Sequence, residues 1–497
     1  MDVIILFDPT FGLPRGLLAS LTTCAVIVYA GNHILLSSAR RKFRREHGCQ
    51  SIRSLPSSDP IWNISLVKET VKSLNEQRFL PAISDRFTKY GNTHEFYSNN
   101  HVIATCDPEN IKCVLATSFR DFDLTSSRDG AFRPVIGHGI FTNSGPLWEE
   151  SRKLLRPVFA DTRLPDLDSL EMHLAILFKV LPRDSRVDLQ EYFLRLLTDT
   201  TTDLVFGSNE SCQTDGASEL FGAMDVCTEK IHRVVQLGKM AKLFPDSNYR
   251  KSLKHVRRLA DVNIARVTSI SDDERKKCPS ILDSIASKTV DHSILRGESL
   301  SLLFAGRDTN AALLGNLFFQ LARHPHVWNR LRDEILFLRG KKPTAQQLKS
   351  VKYVTYCLNE ALRLHPVVPL NARTAVRDCV LPVGSGRDGK SPVFVEKGAV
   401  VFYSTYSMHR REDIWGTDTD LFKPERWVGS KRSWDYLPFN GGPRICIGQQ
   451  FALKTAAYIL IRMVQEFETI ESRDSRPWVE GLSLTCSSGN GTQVTLH

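Results

Sequence analysis

Cys446 lies in Phe439–Gly448, FNGGPRICIG, among residues that each suit a thiolate held against a metal. Gly441 and Gly442 can take backbone conformations closed to other residues, so the chain can turn tightly and approach a flat ligand closely. Pro443 stiffens the turn. Arg444 sets a fixed cation two residues before the sulfur, and Ile445 and Ile447 keep its surroundings dry. Downstream, QQFALKTAAYILIRMVQEF carries Phe451, Ala452, Ala456, Ile459, Met463 and Phe467 at helical spacing. The sulfur therefore stands where a stiff loop runs into a helix, and backbone N–H groups left free at such a start stabilise a thiolate. A single cysteine there also reads as a small buried apolar residue, so chemistry depends on what else the chain supplies.

Asp308 and Thr309 sit in Ser301–Gln320, SLLFAGRDTNAALLGNLFFQ, whose apolar periodicity suits a long buried helix. Three residues fit that helix badly. Gly306 costs roughly 1 kcal/mol relative to alanine. A buried Asp308 costs more unless paired or hydrated, and Thr309 can bond back to the preceding turn and bend the helix. The stretch is either a mildly strained core helix or a loosened turn that leaves room for a small ligand and water. Trp148 and Arg152, four apart in PLWEESRKLLRPVF, share a helical face. Glu360 and Arg363 in NEALRLHP are three apart and can pair, and Arg426 follows in FKPERW. Taken alone, these are a core-edge aromatic, a solvated arginine and an ion pair worth well under ~1 kcal/mol.

The elements that must position these groups come from 497 residues, 42% hydrophobic and 24% charged, with a net charge of +10. No basic stripe interleaved with aromatics points to nucleic acid. Eleven cysteines, odd in number and without a paired CxxC spacing, argue against a disulfide framework and a structural zinc site. Leu17–Leu36 is apolar enough in sequence to span a bilayer as a helix. Arg40, Arg41, Lys42, Arg44 and Arg45 follow it and favour a cytosolic body. The organisation predicted is a lumenal 1–16, an anchor at 17–36, a basic and Pro/Ser-rich linker at 37–60, and one body at 61–497. Within the body, Thr88–Ala104 predicts a small sheet, the segment PVVPLNARTAV an extended strand, and Pro392–Tyr403 a hairpin turning near Lys397–Gly398. Ser271–Lys277 reads as a solvated loop or helix end, and most of the remainder as helix.

Phe439, Gly442, Arg444, Cys446 and Gly448 match F-x-x-G-x-R-x-C-x-G at all five positions, and on them the chain resembles the cytochrome P450 superfamily. Trp148–Arg152, Ala305–Thr309, Glu360–Arg363 and Phe422–Trp427 match further motifs of that family in the expected order, over about residues 60 to 497. The resemblance implies a mainly α fold with a minor β-sheet region, preceded by a transmembrane helix. It implies haem b with Cys446 as the proximal thiolate ligand of iron. Arg444, the Trp148–Arg152 pair and Arg373 would meet its propionates, with His138 lining the same edge and ligating nothing. Thr309 would hold dioxygen and Asp308 would relay protons to it. Glu360, Arg363 and Arg426 would form a buried cluster that fixes the cysteine loop, structural and not catalytic. Asn310 departs from a second threonine common in close relatives.

The activity implied is insertion of one oxygen atom from O2 into a C–H bond of a hydrophobic small molecule. Electrons would come from an NADPH-dependent cytochrome P450 reductase, and the protein would sit in the endoplasmic reticulum membrane facing the cytosol. AGRDT, LHPVVPLNARTA and FNGGPRICIGQQFAL are most similar to the fungal group that hydroxylates n-alkanes and fatty acids. A polyketide or terpenoid substrate in a fungal pathway is an equal candidate. A haem-thiolate isomerase or dehydratase without a reductase, and a non-catalytic haem-binding scaffold, are the readings from other classes.

Overall fold

The computed structural model describes residues 15–56, 63–98, 100–160, 166–214, 218–238, 241, 246–271 and 280–497. The expected lumenal segment lies almost wholly outside these residues. So do residues 57–60 of the expected linker, residues 61 and 62 of the expected body, and most of the charged stretch near 271–277. In chain order the longer described helices are α1 Arg15–Glu46, α2 Ile64–Asn75, α3 Phe79–Tyr90, α4 Ser126–Ile136, α5 Gly145–Ala160, α6 Leu167–Val180, α7 Leu189–Phe206, α8 Glu219–Leu237, α9 Ser247–Ser269, α10 His292–Leu321, α11 Pro325–Ile335, α12 Lys352–Leu364 and α13 Gln449–Glu466. The strands are β1 Thr93–Ser98, β2 Asn100–Thr105, β3 Phe122–Asp123, β4 Val187–Asp188, β5 Leu370–Ala375, β6 Cys379–Ser385, β7 Ser391–Val395, β8 Val400–Ser404, β9 Ile470–Ser472, β10 Glu480–Leu482, β11 Cys486–Ser488 and β12 Gln493–Leu496.

α10 is the axis of the helical part. Asp291 caps its start by accepting the N–H groups of Ser293 and Ile294. Beyond its exposed first turn it is buried on most sides, Glu298, Arg307, Asp308 and Asn316 included, and shows no single polar face. Its C-terminal half joins α6, α7, α12 and α13 in one core through Leu314, Phe318, Leu196, Leu358 and Leu460. Its N-terminal half joins α4, α5, α8 and α9 in a second, through Leu300, Leu303, Met224 and Ile264. A third core lies on the five-stranded sheet, whose order is β1-β2-β8-β5-β3.

The small sheet expected at Thr88–Ala104 is present as the antiparallel β1–β2 pair, and the extended PVVPLNARTAV holds β5. The Pro392–Tyr403 hairpin is not formed. Its turn exists, with Gly398 at φ +89, but its two strands enter different sheets: β7 pairs with β6, and β8 runs between β2 and β5. The end of β5 takes the turn's backbone groups, because Gly398 donates to Ala375 O and Ala375 donates to Ala399 O. Alternation along the two strands looks the same in either pairing, so sequence pattern could not separate them.

The expected anchor at 17–36 falls within α1. Residues 1–14 and the side chains of 15–22 and 25 lie outside the described residues. Among the described residues no helix is long and apolar enough to cross a membrane. The described apolar side chains of the segment, among them Val26, Ile27, Val28, Ile34 and Leu35, are exposed. The basic end of α1 is instead seated on the β6–β7 sheet. Arg40 Nε and Nη2 donate to the Asp378 carboxylate at 3.1 and 3.2 Å, and Nη1 reaches Glu396 Oε2 at 2.5 Å. Arg44 lies 4.5 Å from the Phe394 ring centroid. Residues 37–56, read from composition as linker, are therefore held on the body, and Leu55 N donates to Glu95 O.

Candidate functional site

The loop before α13 folds on itself. Cys446 N donates to Phe439 O and Ile445 N to Gly442 O, each at 3.0 Å. The half-buried Phe439 packs on the main helical core. Gly442 has φ +68, and a Cβ there would lie 1.8 Å from the Leu115 carbonyl oxygen. At Gly441 a Cβ would lie 2.7 Å from the Trp434 ring. Neighbouring protein alone thus requires both glycines, and the positive φ of Gly442 makes the tight turn that their types suggested. Gly442→Ala is expected to cost about 1–3 kcal/mol from backbone conformation alone, and more from the clash. The check is a lowered midpoint of thermal unfolding together with a lowered ratio of haem to protein absorbance.

Cys446 is exposed, yet burial raises its thiol pKa. Both hold if the surface it shows belongs to an interior cavity. The backbone N–H of Gly448 and the charge of Arg152 oppose the rise by favouring the thiolate. The groups that serve an anionic sulfur are thus in place but do not outweigh desolvation by themselves. A bound metal cation would tip that balance.

Guanidinium groups gather beside this loop. Trp148, on α5, is buried, with Arg444 4.4 Å and Arg152 5.8 Å from its ring. Arg152 Nη1 donates to Ile445 O at 3.0 Å and Arg444 Nη2 to Asn143 O at 3.1 Å. Arg373 on β5 is buried and donates to Asn371 Oδ1 and Ala372 O. Arg128 of α4 completes the group; its Nε donates to Phe141 O at 3.4 Å. Burial, and then the Arg373 charge, press Arg444 down to about 10. Burial, Arg373 and Arg444 do the same to Arg128. The carboxylate nearest Arg444 is that of Asp123, at 3.8 Å. Such a set of mutually repelling cations calls for an anion between them. Arg128 was missed in the sequence, because SSRDGAF carries no motif and an arginine among 65 Lys and Arg has no signal of its own. His138 is exposed and pairs with Arg133, apart from this group.

On α10, Thr309 Oγ1 donates to Ala305 O at 2.6 Å and Asn310 Nδ2 to Gly306 O at 3.2 Å. The helix nevertheless stays continuous through the turn. Gly306 serves close packing: a Cβ would lie 2.7 Å from Thr201 Cγ2 of α7. Asp308 is buried and is not left unpaired. Arg307 Nη1 donates to its Oδ1 at 2.9 Å and Thr228 Oγ1 of α8 to its Oδ2 at 3.2 Å. Burial still raises its pKa. Arg307, itself buried, also reaches Asp225 on α8.

Glu360 and Arg363 of α12 are both fully buried, so the surface-pair reading fails. Arg363 donates to the Glu360 carboxylate at 2.9 and 3.0 Å. Lys423 N, Arg426 Nε and Trp427 Nε1 also donate to that carboxylate. Arg363 reaches on to the carbonyls of His409 and Thr419. His409 Nε2 then accepts the Leu437 N–H at 3.0 Å, two residues before Phe439. Burial and the charges of Arg363 and Arg410 push His409 down to about 3, which keeps its ring neutral and able to accept. The cluster thus reaches the cysteine loop through a histidine that no sequence motif marked.

A family model described as Cytochrome P450 matches residues 55–489, and the chain belongs to that family. It is similar to fungal cytochrome P450 monooxygenases, and its class is that of an oxidoreductase monooxygenase. The "cytochrome P450 monooxygenase himC" of Aspergillus japonicus is 40% identical over 95% of this chain and 88% of that protein. The "cytochrome P450 monooxygenase fsdH" of Fusarium heterosporum is 39% identical over 97% and 89%. "Cytochrome P450 52A13" of Debaryomyces hansenii is 38% identical over 80% and 81%.

Proposed function

We propose that the protein binds haem b through Cys446 and oxidises a C–H bond of a hydrophobic substrate with O2 and electrons from an NADPH-dependent reductase. The observation that carries this reading is an accessible thiol near Arg128, Arg373 and Arg444, three guanidinium groups for which the carboxylate found among the described residues is Asp123, 3.8 Å from Arg444. Haem fits that donor set: Cys446 would ligate its iron, and the guanidinium cluster would hold its two propionates. Arg444, Arg373, Arg128 and the Trp148–Arg152 pair would hold the propionates. Phe439, Gly442 and Gly448 would shape the loop. When bound through sulfur, haem supplies activation of dioxygen for C–H oxidation.

The chain's own part is positioning and proton supply. Thr309 offers a hydroxyl now turned to Ala305 O. Asp308 keeps its proton more readily than an exposed carboxyl, because burial outweighs Arg307. A proton held there can pass towards the Thr309 hydroxyl, which orients it. Asn310 already occupies the Gly306 carbonyl, and its Oδ1 is buried without a partner among the described residues. It thereby takes a place where a hydroxyl would serve. Thr309→Ala is expected to leave NADPH consumption in place while product falls by about a hundredfold and peroxide rises; measuring all three checks it.

The substrate is a fatty acid or alkane, or a polyketide or terpenoid of a fungal pathway. The exposed apolar residues of α1 and the basic run after them support a single-pass anchor in the endoplasmic reticulum membrane, with the body in the cytosol. Reconstitution with the reductase tests the whole reading. Hydroxylated product that requires both NADPH and O2 supports it. Turnover of a substrate without either would assign an isomerase or dehydratase instead.

A further inference from the structure

A second groove, of about 570 Å³, lies between α9 and the start of α10. Its size is that of a small-molecule site. Residues 250, 253, 254, 257, 258 and 261 line it, so one face of α9 makes most of the wall. Arg296 of α10 completes it. Among the described residues, the lining holds five cations, one aliphatic side chain, Leu253, and one carboxylate, Asp261.

That carboxylate is spent on the α10 wall. Asp261 Oδ1 accepts from Arg296 Nε at 2.6 Å, and His292 Nε2 lies 3.5 Å from the same oxygen. Glu219 of α8 pairs with His255, which does not line the groove. Arg250, Lys254, Arg257 and Arg258 have no ion-pair partner among the described residues. They face one another instead. Lys254 stands four residues from both Arg250 and Arg258, and like charges at that spacing on a helix repel. Arg257 Nη2 donates to Pro134 O of α4 at 2.6 Å, and its Nε is buried with no hydrogen-bond partner among the described residues. The fold thus holds that guanidinium in place without neutralising it.

Arg250, Lys254 and Arg258 repeat at steps of about 6 Å along the helix axis. A row of cations matches an anion that is itself a row of charges. Guanidinium groups take phosphate oxygens through paired hydrogen bonds, and lysine adds a compact point charge. Leu253 alone makes no apolar bed, so charge and not chain length decides the occupant.

We infer that this groove binds a linear anion carrying two or more phosphate groups, with Arg250, Lys254 and Arg258 on the phosphates and Arg257 and Arg296 fixing the walls. A soluble oligophosphate and the phosphorylated headgroup of an anionic lipid share that chemistry. None of the lining residues is among those assigned to haem or to proton supply, so the site stands apart from the monooxygenase reading.

The test titrates the haem-loaded full chain, in which the propionates fill the Arg128–Arg373–Arg444 cluster, with orthophosphate, pyrophosphate and tripolyphosphate by calorimetry. Affinity should rise in that order, by about tenfold or more from first to last. Lys254→Gln combined with Arg258→Gln should weaken tripolyphosphate about tenfold or more. Lys341→Gln combined with Lys349→Gln removes the same charge from exposed lysines elsewhere, and should change the affinity less than about twofold. Asp261→Asn removes the carboxylate of the lining and should tighten binding, a gain that misfolding cannot imitate. Phosphatidylcholine vesicles containing phosphatidylinositol 4-phosphate then separate the sources. If they displace bound tripolyphosphate where plain phosphatidylcholine vesicles do not, the lipid headgroup is the occupant; if neither does, it is the soluble oligophosphate. Equal losses in the two double variants, equal affinity for the three phosphates, or no tightening in Asp261→Asn overturns the inference.

Discussion

Cys446→Ser is expected to yield a folded protein with no thiolate-bound haem. The loop's own bonds, Cys446 N to Phe439 O and Ile445 N to Gly442 O, use backbone atoms and survive the exchange. What disappears is the one atom that the Gly448 N–H and the Arg152 charge hold towards its anionic form. A serine hydroxyl does not ionise under those influences, since they do not outweigh desolvation even for the more acidic thiol. Reduced protein under carbon monoxide should therefore lose the absorption band that marks sulfur ligation, and NADPH-supported turnover should vanish. Far-ultraviolet circular dichroism should stay at the wild-type level. A retained thiolate band in the serine protein would assign the iron ligand elsewhere.

Glu360→Ala is expected to cost about 3–5 kcal/mol, the range for removing one partner of a buried ion pair. Arg363 would remain fully buried with its carboxylate gone, and Arg426 would lose one of its two. Lys423 N and Trp427 Nε1 would also lose their acceptor. The effect should spread, since Arg363 fixes His409 and His409 fixes Leu437 just ahead of the cysteine loop. Calorimetry should show a large drop in unfolding midpoint, with haem content falling in step. Glu360→Gln keeps an acceptor for Trp427 but not the charge, and should recover only part of the loss. An unchanged midpoint would mean that the cluster is replaceable.

The cysteine loop, the α10 turn and the Glu360 cluster were legible because each needs particular residue types at fixed spacings. Trp148 and Arg152 were legible for the same reason, since four residues on a helix share a face. Arg128 was not, because its partners come from β5 and from the cysteine loop, hundreds of residues away. His409 was hidden likewise: its role follows from who buries it, which no local pattern encodes. The glycines were legible as special, but the protein contacts that require them were not, since only the fold reveals Leu115 O beside Gly442 and Thr201 beside Gly306. Strand pairing failed at β7–β8 because the competitor for the turn, Ala375, lies outside the stretch that was read.

The seat of Arg40 and Arg44 on the β6–β7 sheet bears on how the protein can be handled. A shortened chain is best begun ahead of Arg40. Cutting after Glu46, where the helix ends, would strip Asp378 and Glu396 of their shared counter-ion and uncover one face of Phe394. The basic stretch that composition would assign to a leash is a docked edge of the folded body, and Arg40 and Arg44 belong to its structure.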